Sequence, residues 1–212
     1  MAVLTNGHVS RRDRKHQKTR EAILDAAYTL ITQHGVDAVT MLEIAELADM
    51  GAGTVYNYFA SKDELAFAVM DKVVLRMAER IHKVTKAFKD PADVYAYRIR
   101  SMMKECAESR TSDRLLSRAV VVADVFFDVM GPIAIGDLNK ASSSGFFKVD
   151  NPELTWRLMT HAIIGFGIEV RKQHISIEAI DECLVKLLGL SGVGSDVAAR
   201  IATKKWPDLP PG

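Results

Sequence analysis

The stretch Ala48-Asp-Met-Gly-Ala-Gly-Thr-Val-Tyr-Asn-Tyr-Phe59 sets very small side chains directly beside a row of hydrogen-bonding ones. Gly51, Ala52 and Gly53 leave the backbone bare. Thr54, Tyr56 and Tyr58 carry hydroxyls, and Asn57 carries an amide that can pair with the edge of a base. Such groups hydrogen-bond phosphate oxygens and bases at close range; the alternative is a tight turn packed into a core. A second set lies upstream. Arg11, Arg12, Arg14, Lys15, Lys18 and Arg20 are offset only by Asp13, and from Glu21 to Phe59 there is no Lys or Arg while six acids appear. A basic segment joined to an acidic body is either a solvated tail or the footprint of a polyanion. The net charge of +1 conceals that asymmetry.

Helical signals position these groups. Ile23, Ala26, Ala27, Leu30 and Ile31 recur at helical spacing between Thr19 and His34, and Gly35 follows as a stop. Thr40-Met-Leu-Glu43 has capping-box spacing and opens a short helix expected to bury Leu42, Ile44, Ala45 and Ala48 or positions next to them. After a turn over Ala48 to Gly51, a second short helix covers Ala52 to Phe59, with Val55 and Phe59 turned inward. Ser61-Lys-Asp-Glu64 is another capping box, opening a long helix to about His82. Two short helices across a tight turn, behind a longer amphipathic one, describe a helix-turn-helix in a three-helix unit. There the second helix enters the major groove by its N-terminal end, where bulk at positions 51–53 would hold the backbone away. Free amides and the helix dipole also favour phosphate at that end.

The segment Thr19 to Met70, TREAILDAAYTLITQHGVDAVTMLEIAELADMGAGTVYNYFASKDELAFAVM, strongly resembles the DNA-binding domain of the TetR (tetracycline-repressor-like) family. The resemblance rests on ILDAA, HGVDAVTMLEIAELADMGAG and TVYNYFASKDEL. It implies that Thr40, Thr54, Tyr58 and Lys62 bind phosphates and that Gly51, Ala52, Gly53, Tyr56 and Asn57 lie against the bases. It further implies a homodimer on a palindromic double-stranded operator, and a small molecule bound by C-terminal helices that releases it. The chain departs from many relatives at Ala52, where they carry a basic or polar side chain. Its reading helix has no Lys or Arg, so bidentate arginine–guanine pairing is absent from it. Asn57, the tyrosines and DNA shape then carry specificity, and Arg11, Arg12, Arg14, Lys15 and Lys18 supply affinity.

The remainder gives well-marked helix starts at Asp90-Pro91 and Asn151-Pro152. Helices are expected over Pro91–Ser109, Asp113–Met130, Pro152–Gln173, Ser176–Leu190 and Ser195–Lys205, with Gly131-Pro132 and Ala141 to Gly145 as loops. The expected fold is all-α, without strand alternation or internal repeats. It divides into a basic flexible arm (1–14), a helix-turn-helix DNA-binding domain (15–75, with the motif at 40–59) and a larger C-terminal helical ligand-binding and dimerisation domain (76–212). Met102, Met103, Phe127, Trp156 and Phe166 are either core or the lining of an apolar pocket. Arg118, Asp124 and His161 are its candidate polar contacts, or surface and satisfied core groups. An apolar or aromatic effector is preferred. For a dimer interface the candidates are Ile164, Gly165 and Ile168 on one helix with Ile180, Leu184 and Leu187 on the next; both helices packing inside one chain is the plainer alternative.

Other classes fare poorly. At 212 residues, 48% hydrophobic and 26% charged, the chain reads as a globular protein without a membrane span or signal peptide, expected in the cytoplasm. Cys106 and Cys183 have no metal spacing and read as reduced thiols; no metal or cofactor is expected. Gly189-Leu-Ser-Gly-Val-Gly194 has no strand before it and no Lys after it at phosphate-loop spacing. His174 and Glu178 straddle a helix start with no third ligand. A helical enzyme or carrier with a chance helix-turn-helix is the competing class. It would show turnover or tight ligand binding without salt-sensitive DNA affinity.

Overall fold

The computed structural model describes residues 10–109, 119–143, 145 and 147–211, which contain nine α-helices, a 3-10 turn and no strand. The fold is all-α as expected. The chain gathers into two units, Met1–Val69 and Met70–Gly212, the division falling inside the helix Lys62–Thr85, which also contains residue 75.

The first unit holds α1 (Arg11–His34), α2 (Met41–Leu47), α3 (Ala52–Tyr58) and the start of α4 (Lys62–Thr85). Residues 11–14, expected in a flexible arm, are instead the first turn of α1. The Ser10 hydroxyl accepts from the Asp13 amide (3.1 Å), and the Asp13 carboxylate accepts from the Ser10 amide (3.2 Å). This capping box satisfies two free donors and sets an acid at the positive helix end. Thr40 and Glu43 make the same box on α2. At α4 the Ser61 hydroxyl accepts from the Glu64 amide, while the Glu64 carboxylate reaches the Ala60 amide at 2.7 Å. Ile23, Ala27, Ile31, Ile44, Val55, Phe59 and Leu65 are the sealed core. On α2 the buried positions are Met41, Ile44 and Ala45. Leu42 is 58% exposed, a correction to its expected burial, because the buried face is set by Met41, Ile44 and Ala45 and Leu42 lies about 100° round the helix from Met41.

The second unit holds the rest of α4 and α5 (Pro91–Glu108), α6 (Ala119–Ser143), α7 (Pro152–Arg171), the 3-10 turn Ile177–Ala179, α8 (Ile180–Leu190) and α9 (Ser195–Ala202). Asp90 and Asn151 cap α5 and α7 as expected, each ahead of its proline. The Gly131-Pro132 break is not a loop: α6 runs through it to Ser143. An internal proline costs a helix about 3 kcal/mol, but beyond it Ala134, Leu138 and Ala141 are buried, and Asp137 pairs with Arg98 of α5. Burial of that last third outweighs the local preference.

Helices α5 and α7 come into close contact where Gly167 meets Cys106; a Cβ at Gly167 would lie 2.6 Å from the cysteine Cβ. Cys106 is sealed there, and burial pushes its thiol up to about 12, leaving it an inert packing group. The tail after α9 folds back over this unit. Trp206 packs near Phe88 and Tyr97, and the Arg80 Nε donates to the Pro210 carbonyl at 2.6 Å.

Candidate nucleic-acid interface

Helix α2 ends in a Schellman turn. The Met50 amide donates to the Ala45 carbonyl (2.9 Å) and the Asp49 amide to that of Glu46 (3.1 Å). Asp49 takes the left-handed position at φ 55°, a conformation for which Asp is among the better non-glycine residues. The turn delivers Gly51 as the N-cap of α3, with extended backbone and no side-chain cap. From there the period of the helix sorts the residues. Val55 and then Phe59 are buried, whereas Gly51, Gly53, Thr54, Tyr56 and Asn57 are exposed, and Ala52 and Tyr58 are half-buried.

Gly51 stands at the N-cap, where glycine is preferred to alanine, whereas Gly53, the second residue of the helix, has no internal reason to be glycine. Gly51 has φ −67°, and a Cβ built on either Gly51 or Gly53 would meet nothing within 4 Å. At Gly53 glycine runs against helix preference, by up to about 0.8–1.0 kcal/mol relative to alanine. A bare surface kept at such a cost is what close approach of another molecule requires.

Around this surface stand the polar groups expected to hold phosphate. Thr40 caps α2, its hydroxyl and amide both donating to Glu43 at 2.8 Å. The Lys62 ammonium donates to the Asp37 carbonyl at 3.2 Å and is half-buried. The Tyr58 ring stacks on His16 of α1 with centroids 4.4 Å apart, so the end of α3 and the basic part of α1 lie together. Arg20 lies over the Phe59 ring at 5.0 Å, a cation–π contact that ties it to the core. Arg11, Arg12, Arg14, Lys15 and Lys18 are all exposed on the first two turns of α1. A helix, not a loose tail, therefore spaces these charges. Ser10-Arg-Arg-Asp13 carried the signal in sequence: it is a hydroxyl followed three residues later by an acid.

Residues 23–69 match the family described as bacterial regulatory proteins, tetR family, and residues 90–204 match a tetracyclin repressor-like C-terminal domain, the latter covering more than half of the chain. The chain belongs to the tetR family. Membership makes it a transcriptional regulator and not an enzyme. Among its relatives is the HTH-type transcriptional repressor KstR of Rhodococcus jostii (strain RHA1). The two are 27% identical over 141 residues, which are 66% of this chain and 63% of that protein, so the chain spans less than two thirds of that relative. Among solved structures, RolR in complex with resorcinol matches with a TM-score of 0.83 at 25% identity, covering 93% of this chain and 99% of RolR. RolR without ligand matches with a TM-score of 0.77, covering 90% and 100%.

In this tetR-family chain the other candidate residues fall into distinct places. Met102, Met103, Trp156 and Phe166 are buried in the second unit. Asp124 and His161, candidates for polar pocket contacts or for surface groups, lie on the surface. Asp124 faces Arg157 at 3.9 Å, and the His161 Nδ1 bonds the Arg157 carbonyl at 2.9 Å. Phe127 is half-buried beneath the Arg157 guanidinium, 3.7 Å from its ring centre. Arg118 lies outside the described residues. Of the dimer candidates, Ile164, Ile180, Leu184 and Leu187 are buried within the chain itself, so the plainer alternative holds for them. Gly165 and Ile168 remain half-exposed. Sequence reading missed Leu154 and Leu158, which extend this face: Leu154, Leu158, His161, Gly165 and Ile168 repeat at spacings of four and three along α7. Leu154 and Leu158 are each 54% exposed.

The sequence did not single out the buried polar pairs of this unit. The Arg98 Nε and Nη2 both donate to Asp137 Oδ2, at 3.1 and 2.8 Å, and the Tyr95 and Ser191 hydroxyls share a 3.0 Å hydrogen bond. Among the described residues no cluster of His, Cys, Asp or Glu could hold a metal ion, and no helix is long and apolar enough to cross a membrane.

Proposed function

We propose that the chain is a homodimeric repressor of the cytoplasm that reads a palindromic operator and releases it when a small molecule enters the second unit. The observation that carries the reading is the bare entry to α3: Gly51 and Gly53 are exposed, and a side chain on either would meet nothing of the chain within 4 Å. Gly51, Ala52, Gly53, Tyr56 and Asn57 lie against the bases in this reading. Thr40, Thr54, Tyr58, Lys62 and the α1 cations hold the backbone.

A two-fold operator needs two readers. The 4-3 stripe Leu154, Leu158, His161, Gly165 and Ile168 on α7 has the spacing of a helix seam, with leucines turned outward, and it supplies the isologous interface. The two readers then fit major-groove segments about 34–36 Å apart. The effector works as a population shift, acting along α4, the helix common to both units. Moving the balance from 1:99 to 99:1 requires about 10⁴-fold preference for the releasing state. The likeness to RolR, solved with resorcinol, supports a small aromatic effector.

The test is selection of bound sequences from a random duplex pool by the full chain at two salt concentrations. A recovered palindrome, with log affinity falling by about 0.9 per phosphate contact for each log unit of salt, is the expected result. Recovery of no consensus, with weak binding only, overturns the reading.

A further inference from the structure

Buried hydrogen-bond donors in native proteins nearly always have an acceptor. In the second unit the indole Nε1 of Trp156 has none from the protein, although Trp156 is fully buried. Beside that nitrogen there is space for a methyl group. Gly131 of α6 is buried against it, and a Cβ built on Gly131 would stand 3.5 Å from Trp156 Nε1 and Cδ1, with Ile135 Cδ1 next at 4.0 Å. These are ordinary van der Waals distances, so packing inside the chain does not require glycine. Glycine is also a poor choice in mid-helix. What an alanine methyl would take away is the space beside the indole N–H. An oxygen bonded to that N–H sits about 2.9–3.0 Å from the nitrogen.

The charge of this interior is already balanced. Among the described residues the buried charged groups are Arg98 and Asp137, which pair with each other, although the Arg98 Nη1 is itself without a protein acceptor. A carboxylate placed here would add an uncompensated buried charge, which is strongly disfavoured. We propose that the notch between Gly131 and Trp156 is the polar end of the effector site, where the Trp156 indole donates to a neutral oxygen, a hydroxyl or carbonyl, on an otherwise apolar ring. This rests on the reading that the second unit binds an effector, and it names that effector's class.

The experiment follows the indole N–H resonances of the full ¹⁵N-labelled chain. Trp206 supplies the second one, and Trp206→Phe leaves Trp156 alone. Phenol, toluene and benzoate are titrated separately, and operator binding is measured on the same samples. Phenol is expected to shift the Trp156 N–H downfield saturably, while toluene and benzoate produce no such shift. Gly131→Ala is expected to raise the melting temperature and weaken the phenol response at least tenfold, because its methyl fills the notch without disturbing the fold. The proposal is overturned if the Trp156 resonance ignores phenol in a chain that still binds its operator. It is equally overturned if the Gly131→Ala response is unchanged or if benzoate acts as strongly as phenol. Loss of operator binding with the indole response intact would count against the DNA reading and leave the notch standing.

Discussion

Gly53→Ala should move stability and DNA affinity in opposite directions. Gly53 is the second residue of α3, and the added Cβ meets nothing within 4 Å, so no clash offsets the helix preference. Alanine gains up to about 1 kcal/mol there, worth about 4–8 °C in the transition of a unit of this size. Bound to DNA, the same methyl stands between the backbone and the groove. Losing one contact of the base-edge kind costs about 1–3 kcal/mol, a fall in operator affinity of roughly 5- to 150-fold. Thermal denaturation by circular dichroism and fluorescence anisotropy on the selected operator, at one salt concentration, read the two effects. A higher melting temperature with unchanged affinity would refute the claim that glycine is kept for DNA. A fall in both would mean an internal role for Gly53 that its open surroundings deny.

Three further outcomes follow from the geometry. Leu158→Glu puts a charge on the exposed α7 stripe and should convert a dimer to a monomer in sedimentation while helicity is kept; Leu184→Glu, at a fully buried site, should unfold the unit instead. Glu43 is held below the usual carboxylate range by the Thr40 amide and then by its hydroxyl. A depressed folded value means its stabilisation is whole above about pH 4.5, the ordinary value, and is lost as pH falls through the folded one. Glu43→Gln keeps a neutral acceptor, so denaturant midpoints of the variant should fall less steeply on acidification. Pro132→Ala restores an amide to the interior of α6 and should stabilise the second unit by up to about 3 kcal/mol, read as a higher urea midpoint at unchanged slope.

The reader was legible because its signals are local. Capping boxes at Thr40 and Ser61, the Gly35 stop and the period placing Val55 and Phe59 inward all lie within a few residues of the structure they specify. The same kind of signal at Ser10 and Asp13 marks the true start of α1, and the charge run around it drew attention away. Failures came where distant packing decides. Gly131-Pro132 carries every local mark of a break, yet burial of Leu138 and the Arg98–Asp137 pair carries the helix through. The Leu184 and Leu187 stripe announces that something covers it, and a stripe alone does not say whether that cover is the same chain or a second copy. Asp124 and His161 looked like polar groups in apolar surroundings, but the helical period turned both to water. The orphaned indole of Trp156 could not be read in sequence at all, since it exists only where α6 and α7 meet.

The folded-back tail has a consequence for how this chain is handled. Arg80 holds the Pro210 carbonyl and Trp206 rests near Phe88 and Tyr97, so the last ten or so residues stitch the later turns of α4 to the early turns of α5. These three pieces should exchange their amide hydrogens as one cooperative block, opening together or not at all. A protease nick near Lys205 would then loosen α4 from a point far from it in sequence.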